Sequence, residues 1–363
     1  MKPIKKAILF LFFLTPFSSV ASEIGTAEPS SGSVNTDSIS SPNQSQEQKK
    51  KSIYIPKFGG NLRARYEYLT RQEVGAFKVR NLRLSAEGYV APIMSYRVEV
   101  DFADWGKIAL IDGFFKVNPV KSLNLSLGQQ RMPFGLAAHR RPCQQYFVSR
   151  NFPAKHTATI RDVGFVAGYT IPKFPLLIQA SVFNCSGTGE TKNYFTGTYG
   201  FSTRLSAPFA RYWFATASTA RMAKNDARFQ LWDAGAYFDN GLWHVEAEYS
   251  RKNYVHDAFK CVNAYDIFVY RNFPIEKHKI AGVSGAVRYD YMSDHSSGLR
   301  NDLGQLAVDD PARHRLTLGA TLSLMSIFQA DIRLNYEKYF FKKNIIPTKA
   351  DDDRLVLEVI ASF

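Results

Sequence analysis

Past its N-terminal segment the sequence holds no uninterrupted apolar run of about 18 residues, so no membrane-spanning helix is expected. Two options remain: a soluble protein, or a β-barrel, the other structure that satisfies its backbone in lipid. Cysteine is scarce as well. Cys143, Cys185 and Cys261 are three, an odd number, so a disulfide framework does not hold the fold. One bridge with one free thiol stays open, and its pairing is undetermined. Catalytic motifs are missing. There is no Gly-x-Ser-x-Gly and no Cys-x-x-Cys. His139, His156, His244, His256, His278, His295 and His314 do not recur at metal-ligand spacing. The sequence offers no catalytic residue, no metal site and no cofactor site, and it argues against an enzyme.

The chain opens MKPIKKAILFLFFLTPFSSVAS. Lys2, Lys5 and Lys6 precede a short apolar run, and Ser19-Val20-Ala21 supplies small residues for cleavage, so residues 1–21 read as a secretory signal peptide. The remaining chain carries 43 Lys and Arg against 32 Asp and Glu, a net charge of +11. That excess suits anions or an anionic membrane surface, and export makes nucleic acid the least fitting partner. Residues 22–52 are rich in Ser, Asn, Gln and Thr without apolar periodicity, which reads as a disordered linker. Residues 53–363 form the folded domain.

That domain alternates. Leu62, Ala64, Tyr66 and Tyr68 oppose Arg63, Arg65 and Glu67; Tyr96, Val98, Val100 and Phe102 oppose Arg97, Glu99 and Asp101. Similar alternation runs through LWHVEAEYS, RLTLGATLSL, FQADIRLNYE and the terminal RLVLEVIASF. Tight turns at 91–94, 172–175, 207–210, 239–241 and 325–327 alternate with polar loops at 131–161, 185–197, 253–262, 291–313 and 339–352. A soluble β-sandwich also has one apolar face. Here the other face carries charge on almost every strand, which a dry core would not tolerate unpaired. The fold expected is all-β: a transmembrane antiparallel barrel of about sixteen strands, with short periplasmic turns and long extracellular loops. Pairing of the last strand with the first, near Asn61–Leu69, closes it.

Several segments carry a family likeness: KVRNLRLSAEGYV; SYRVEVDFADWGKIALIDGFFKVNP with Asp112; Gly128, Gln129, Pro133, Phe134 and Gly135; and the Arg161-Asp162-x-Gly164 element. Cys185 replaces a glycine in a Phe-Asn-Gly element. In this order they resemble the phosphate-selective porins O and P. The resemblance implies a sixteen-stranded outer-membrane barrel, typically trimeric, that passes inorganic anions such as phosphate or polyphosphate by passive diffusion. By resemblance to outer-membrane proteins generally, the terminal Phe363 is a recognition mark for the insertion machinery.

The segment 131–161 contains no Asp or Glu but holds Arg131, His139, Arg140, Arg141, Arg150, Lys155, His156 and Arg161. A basic constriction selects anions, and arginine stays charged while offering a planar fork of donors to oxyanions. Following the fifth strand, this loop is placed to fold into the barrel; the other reading is a surface loop on lipopolysaccharide phosphates. Arg63, Arg65, Arg83, Arg97, Arg204, Arg288 and Arg333 extend a basic path along the wall, most of them paired with carboxylates such as Glu67, Glu87, Glu99 and Asp331. Asp351-Asp352-Asp353 reads as a solvated loop. The function expected is an anion porin, with a general diffusion porin or a surface-adhesion or structural barrel as alternatives.

Overall fold

The computed structural model describes residues 54–104, 107–158, 161–185, 197–224, 227–277, 279–326, 328–341 and 351–363. The signal peptide and linker expected over 1–52 lie outside the described residues. The strands are β1 (Lys57–Leu69), β2 (Val74–Ala91), β3 (Met94–Asp104), β4 (Lys107–Val120), β5 (Leu123–Arg131), β6 (Arg161–Thr170), β7 (Leu177–Phe183) and β8 (Gly200–Ala210). The second half adds β9 (Trp213–Lys224), β10 (Ala227–Asp239), β11 (Trp243–Tyr254), β12 (Val262–Lys277), β13 (Ile280–Met292), β14 (Arg313–Leu324), β15 (Gln329–Phe341) and β16 (Arg354–Ser362). Each pairs antiparallel with its neighbours in sequence, and β1 pairs with β16 from Asn61 opposite Ser362 to Leu69 opposite Arg354. The sheet is a closed barrel with no free edge.

The burial is inverted relative to a soluble protein. Phe58 is 78% exposed and Phe77 86%, whereas Arg63 is 4% and Glu99 5%. The apolar face looks out to lipid and the charged face lines the lumen. Lumenal Val356 and Ile360 of β16 are buried too, because the turn Pro142–Gln144 of the long loop after β5 packs against that strand.

Some expectations need correction. The strand β8 runs through 207–210, and the turn falls at residues 211–212. Pro208 lies beside a register shift, where its missing N–H costs no regular ladder bond. The extracellular connections are not uniformly long: β1 and β2, β3 and β4, and β9 and β10 are joined through 70–73, 105–106 and 225–226. Asp351, Asp352 and Asp353 are not solvated but 3%, 2% and 1% exposed. Arg313 meets Asp351 at 3.2 Å, and Lys338 meets Asp353 at 2.6 Å. All three cysteines are free thiols.

The family-like glycines have a steric reason. Gly128 has φ +135°, and a Cβ there would sit 2.3 Å from the Gly113 carbonyl oxygen; one on Gly164 would sit 2.1 Å from that of Val182. Strands β4 to β7 approach too closely for any side chain at these points. Gly128→Ala should lower the temperature at which the folded barrel changes gel mobility. Backbone strain alone accounts for about 1–3 kcal/mol; an unchanged transition would contradict the steric account.

Candidate functional site

Residues 132–158 of the loop after β5 fold into the lumen. Its backbone has little regular structure, so its polar groups need partners where it is buried. The wall supplies charged ones. Glu248 on β11 accepts from the Leu136 N–H at 2.6 Å and the Ala137 N–H at 3.3 Å. Asn151 donates to Glu248 at 3.1 Å and to Asp266 on β12 at 2.5 Å. The Phe152 N–H meets Asp290 on β13 at 3.2 Å. Loop carbonyls face arginines instead. Arg204 donates to Gly135 O at 3.0 Å, Arg63 to Val148 O at 3.0 Å, Arg288 to Ser149 O at 2.9 Å, Arg315 to Arg150 O at 2.7 Å and Arg333 to Cys143 O at 3.2 Å. Hydrogen bonds to charged groups are worth about 1.5–3 kcal/mol each, so these bonds fix the loop across the barrel. Beneath them an apolar cluster of Met132, Phe134 and Phe152 packs against lumenal Leu231, Met292 and Tyr339.

The basic residues of the loop take different roles. Arg131 donates to the Ala138 and Arg140 carbonyls and shapes the turn. His139 accepts the Phe134 N–H at Nε2, 3.2 Å away. Burial and the nearby Arg204 and Arg131 hold it well below the usual imidazole range, so it is neutral at pH 7 and adds no positive charge. Arg140 pairs with both oxygens of Glu246 and lies over the Tyr146 ring at 5.2 Å. Burial alone would lower its pKa; Glu246 outweighs that and raises it. Arg141 is exposed, with no ion pair among the described residues. Lys155 is exposed on the helical turn Pro153–Ala158. Arg161 pairs with Asp112 at 2.9 Å.

Arg150 stands apart. Burial, with Arg161, Arg83, Arg63 and Arg80 close by, pushes its guanidinium down to about 9. The charges that act on it most strongly are all positive. Arg80 was not among the residues the sequence pattern marked. It is the extra residue of a bulge in β2, where Asn81 faces Arg63 and Val79 faces Ala64. It is exposed and makes no hydrogen bond or ion pair among the described residues. The signal was legible: apolar Val79 and Leu82 are three apart, one more than a regular strand allows.

The wall arginines are mostly paired. Arg63 meets Glu358 at 2.8 Å, Arg65 meets Glu67 at 2.6 Å, and Arg83 meets Glu99 at 3.0 Å and Asp101 at 2.8 Å. Arg97 bridges Glu87 at 2.7 Å and Glu99 at 2.5 Å, and Arg333 meets Asp331 at 3.2 Å. Arg204 and Arg288 chiefly hold loop carbonyls. Sequence reasoning missed the acids of β11 to β13 as anchors, because their partners are backbone amides of a distant loop.

His156, His295 and Asp310 are the group of metal-ligand residue types drawn together among the described residues. His156 Nδ1 lies 2.9 Å and His295 Nδ1 3.9 Å from Asp310 Oδ2. The far Nε2 atoms face Arg313 and Lys252, each at 3.2 Å. Both cations only donate. The Nε2 atoms therefore accept, the Nδ1 atoms carry the hydrogens, and no imidazole lone pair faces Asp310.

The geometry is that of a closed barrel with an infolded loop, and comparison finds the same fold. Residues 58–212 match the family model phosphate-selective porin O and P. The chain superposes on OmpF of Salmonella typhi in complex with daunomycin with a TM-score of 0.59 and 13% identity, over 86% of this chain and 99% of that one. For the outer membrane channel DcaP of Acinetobacter baumannii the values are 0.57 and 12%, over 86% and 98%. For the trimer form of OmpT of Vibrio cholerae they are 0.57 and 12%, over 85% and 99%. No curated protein matches the sequence. The chain is an outer-membrane, multi-pass β-barrel of the porin fold, and its residues 58–212 match the phosphate-selective porin O and P family model.

Proposed function

We propose that this porin passes small anions by passive diffusion, favours phosphate, works as a homotrimer and carries out no catalysis. One observation carries the anion reading: Arg150, at the infolded loop, is crowded by Arg80, Arg63, Arg83 and Arg161. An anion passing there relieves that repulsion, and the spread of several sites lets it leave again. Support for phosphate is narrower. It comes from the matched family's description, together with the fit of guanidinium forks to oxyanions. Support for a trimer comes from the trimer form of the similar Vibrio cholerae protein. We also propose that Phe363 is read by the insertion machinery.

Reconstituted channels in a potassium chloride gradient should show a reversal potential of chloride selectivity. A cation-selective potential would overturn the reading. Phosphate added at low concentration should depress chloride current; an unaffected current would leave a general diffusion porin. Absence of conductance in the folded protein would favour a structural or adhesive barrel.

A further inference from the structure

Three arginines face away from the lumen. Strand parity turns Arg221 of β9, Arg228 of β10 and Arg251 of β11 to the lipid side, and all three are exposed. They lie close together. Arg221 stands opposite Gln230, two residues from Arg228 on the same face, and Arg251 stands opposite Trp232. Diagonal neighbours of this kind are about 7–8 Å apart, and Arg251, two strand spacings across and two residues along from Arg221, is about 12 Å from it.

Their height is set by the aromatic belts. Trp213, Phe238 and Trp243 mark the short-turn, periplasmic end of these strands. Arg221 and Arg251 lie eight residues further along from Trp213 and Trp243, and Arg228 lies ten from Phe238. With a rise of about 3.3 Å per residue and a tilt of about 40°, they stand about 20–25 Å above that belt. The apolar band is about 25 Å tall. Exposed Trp232 stands level with Arg251, and exposed Tyr249 lies two residues nearer the membrane centre, so the arginines and the outer belt share one level. The arginines are therefore at the headgroup level of the outer leaflet.

None of the three has an acidic partner among the described residues. Arg251 donates to Asn253 at 3.1 Å, and Arg221 and Arg228 make no polar side-chain contact among the described residues. This contrasts with the lumen, where most arginines are paired. The strand carboxylates whose side chains are described lie on the lumenal side, in pairs such as Glu87 with Arg97, Asp112 with Arg161 and Asp239 with His244. The described wall of a second barrel would thus turn its carboxylates away from these arginines. We propose that Arg221, Arg228 and Arg251 form a docking surface for the phosphate groups of lipopolysaccharide in the outer leaflet.

The test uses the full-length folded protein in detergent, mixed with bisphosphorylated lipid A and read by native mass spectrometry. The wild type should retain lipid A. The variant R221Q/R228Q/R251Q should bind at least tenfold more weakly, and dephosphorylated lipid A should bind the wild type as weakly. A control, R211Q/R271Q/K279Q, removes charge at the other end and should bind as wild type does. Heat-dependent gel mobility confirms that each barrel is folded. Equal retention by R221Q/R228Q/R251Q, or equal retention of the dephosphorylated lipid, overturns the proposal. Loss of the oligomer with lipid binding intact assigns the surface to a second copy instead.

Discussion

Glu246→Ala should open the channel. Glu246 is fully enclosed and takes both arms of the Arg140 fork as well as His244 Nε2 at 3.1 Å. Removing it leaves the Arg140 guanidinium buried without a counter-charge. Breaking a buried pair from one side costs about 3–5 kcal/mol. At about 1.4 kcal/mol per decade, that shifts the docking equilibrium of loop 132–158 more than a hundredfold towards release. Single-channel conductance should rise and become noisier, while the barrel keeps its heat-resistant gel mobility. The double variant R140M/E246L, which removes both charges, should restore most of the quiet wild-type conductance, because neither an unpaired guanidinium nor an unpaired carboxylate is left and only the His244 Nε2 contact is lost. If Glu246→Ala conducts as the wild type does, the loop does not set the aperture.

The second large effect concerns selectivity. Arg80 and Arg150 are the charges on which an anion reading rests most directly, and Arg80 makes no ion pair among the described residues. One unit charge about 6 Å from a passing ion in water is worth about 0.7 kcal/mol, roughly threefold in local concentration, so two give about tenfold. R80Q/R150Q should therefore lower the chloride-to-potassium permeability ratio about tenfold near 0.1 M salt. The loss should shrink at 1 M, where the screening length falls from about 10 Å to about 3 Å. Reversal potentials at both salts measure this. Arg140→Gln is not an equivalent experiment, because its first effect is on Glu246 and the loop. An unchanged ratio in R80Q/R150Q would end the anion assignment to this cluster.

The barrel was legible in the sequence because the pattern that builds it is local. Leu62-Arg63-Ala64-Arg65 already states which side meets lipid, and lumenal pairing of Arg97 with Glu87 and Glu99 follows from neighbouring strands. The infolded loop was marked by its lack of acids. Its attachment was not, since Glu248 and Leu136 are 112 residues apart and the contact is to a backbone amide. Nor does a residue's charge reveal what it does. Arg140 is held by Glu246, His139 is neutral, and Arg150 is crowded by like charges. Asp351 to Asp353 look like solvated acids in sequence, but Arg313, Lys338 and Arg71 fold over them from other strands and a turn. A bulge placed Arg80 where strict alternation would not.

The seam between β1 and β16 implies an order in time. Arg63 on β1 binds Glu358 on β16 and, with the same guanidinium, the Val148 carbonyl of the loop. Glu358 belongs to the barrel's last strand in chain order, which pairs with the first, so this three-way contact waits for the ring to close. The aperture is then finished only after the tube itself, and a half-assembled barrel would leak more than a mature one. Pulse-labelled chains caught during insertion should show loop 132–158 open to protease until β16 has paired with β1. A loop protected earlier would reverse that sequence of events.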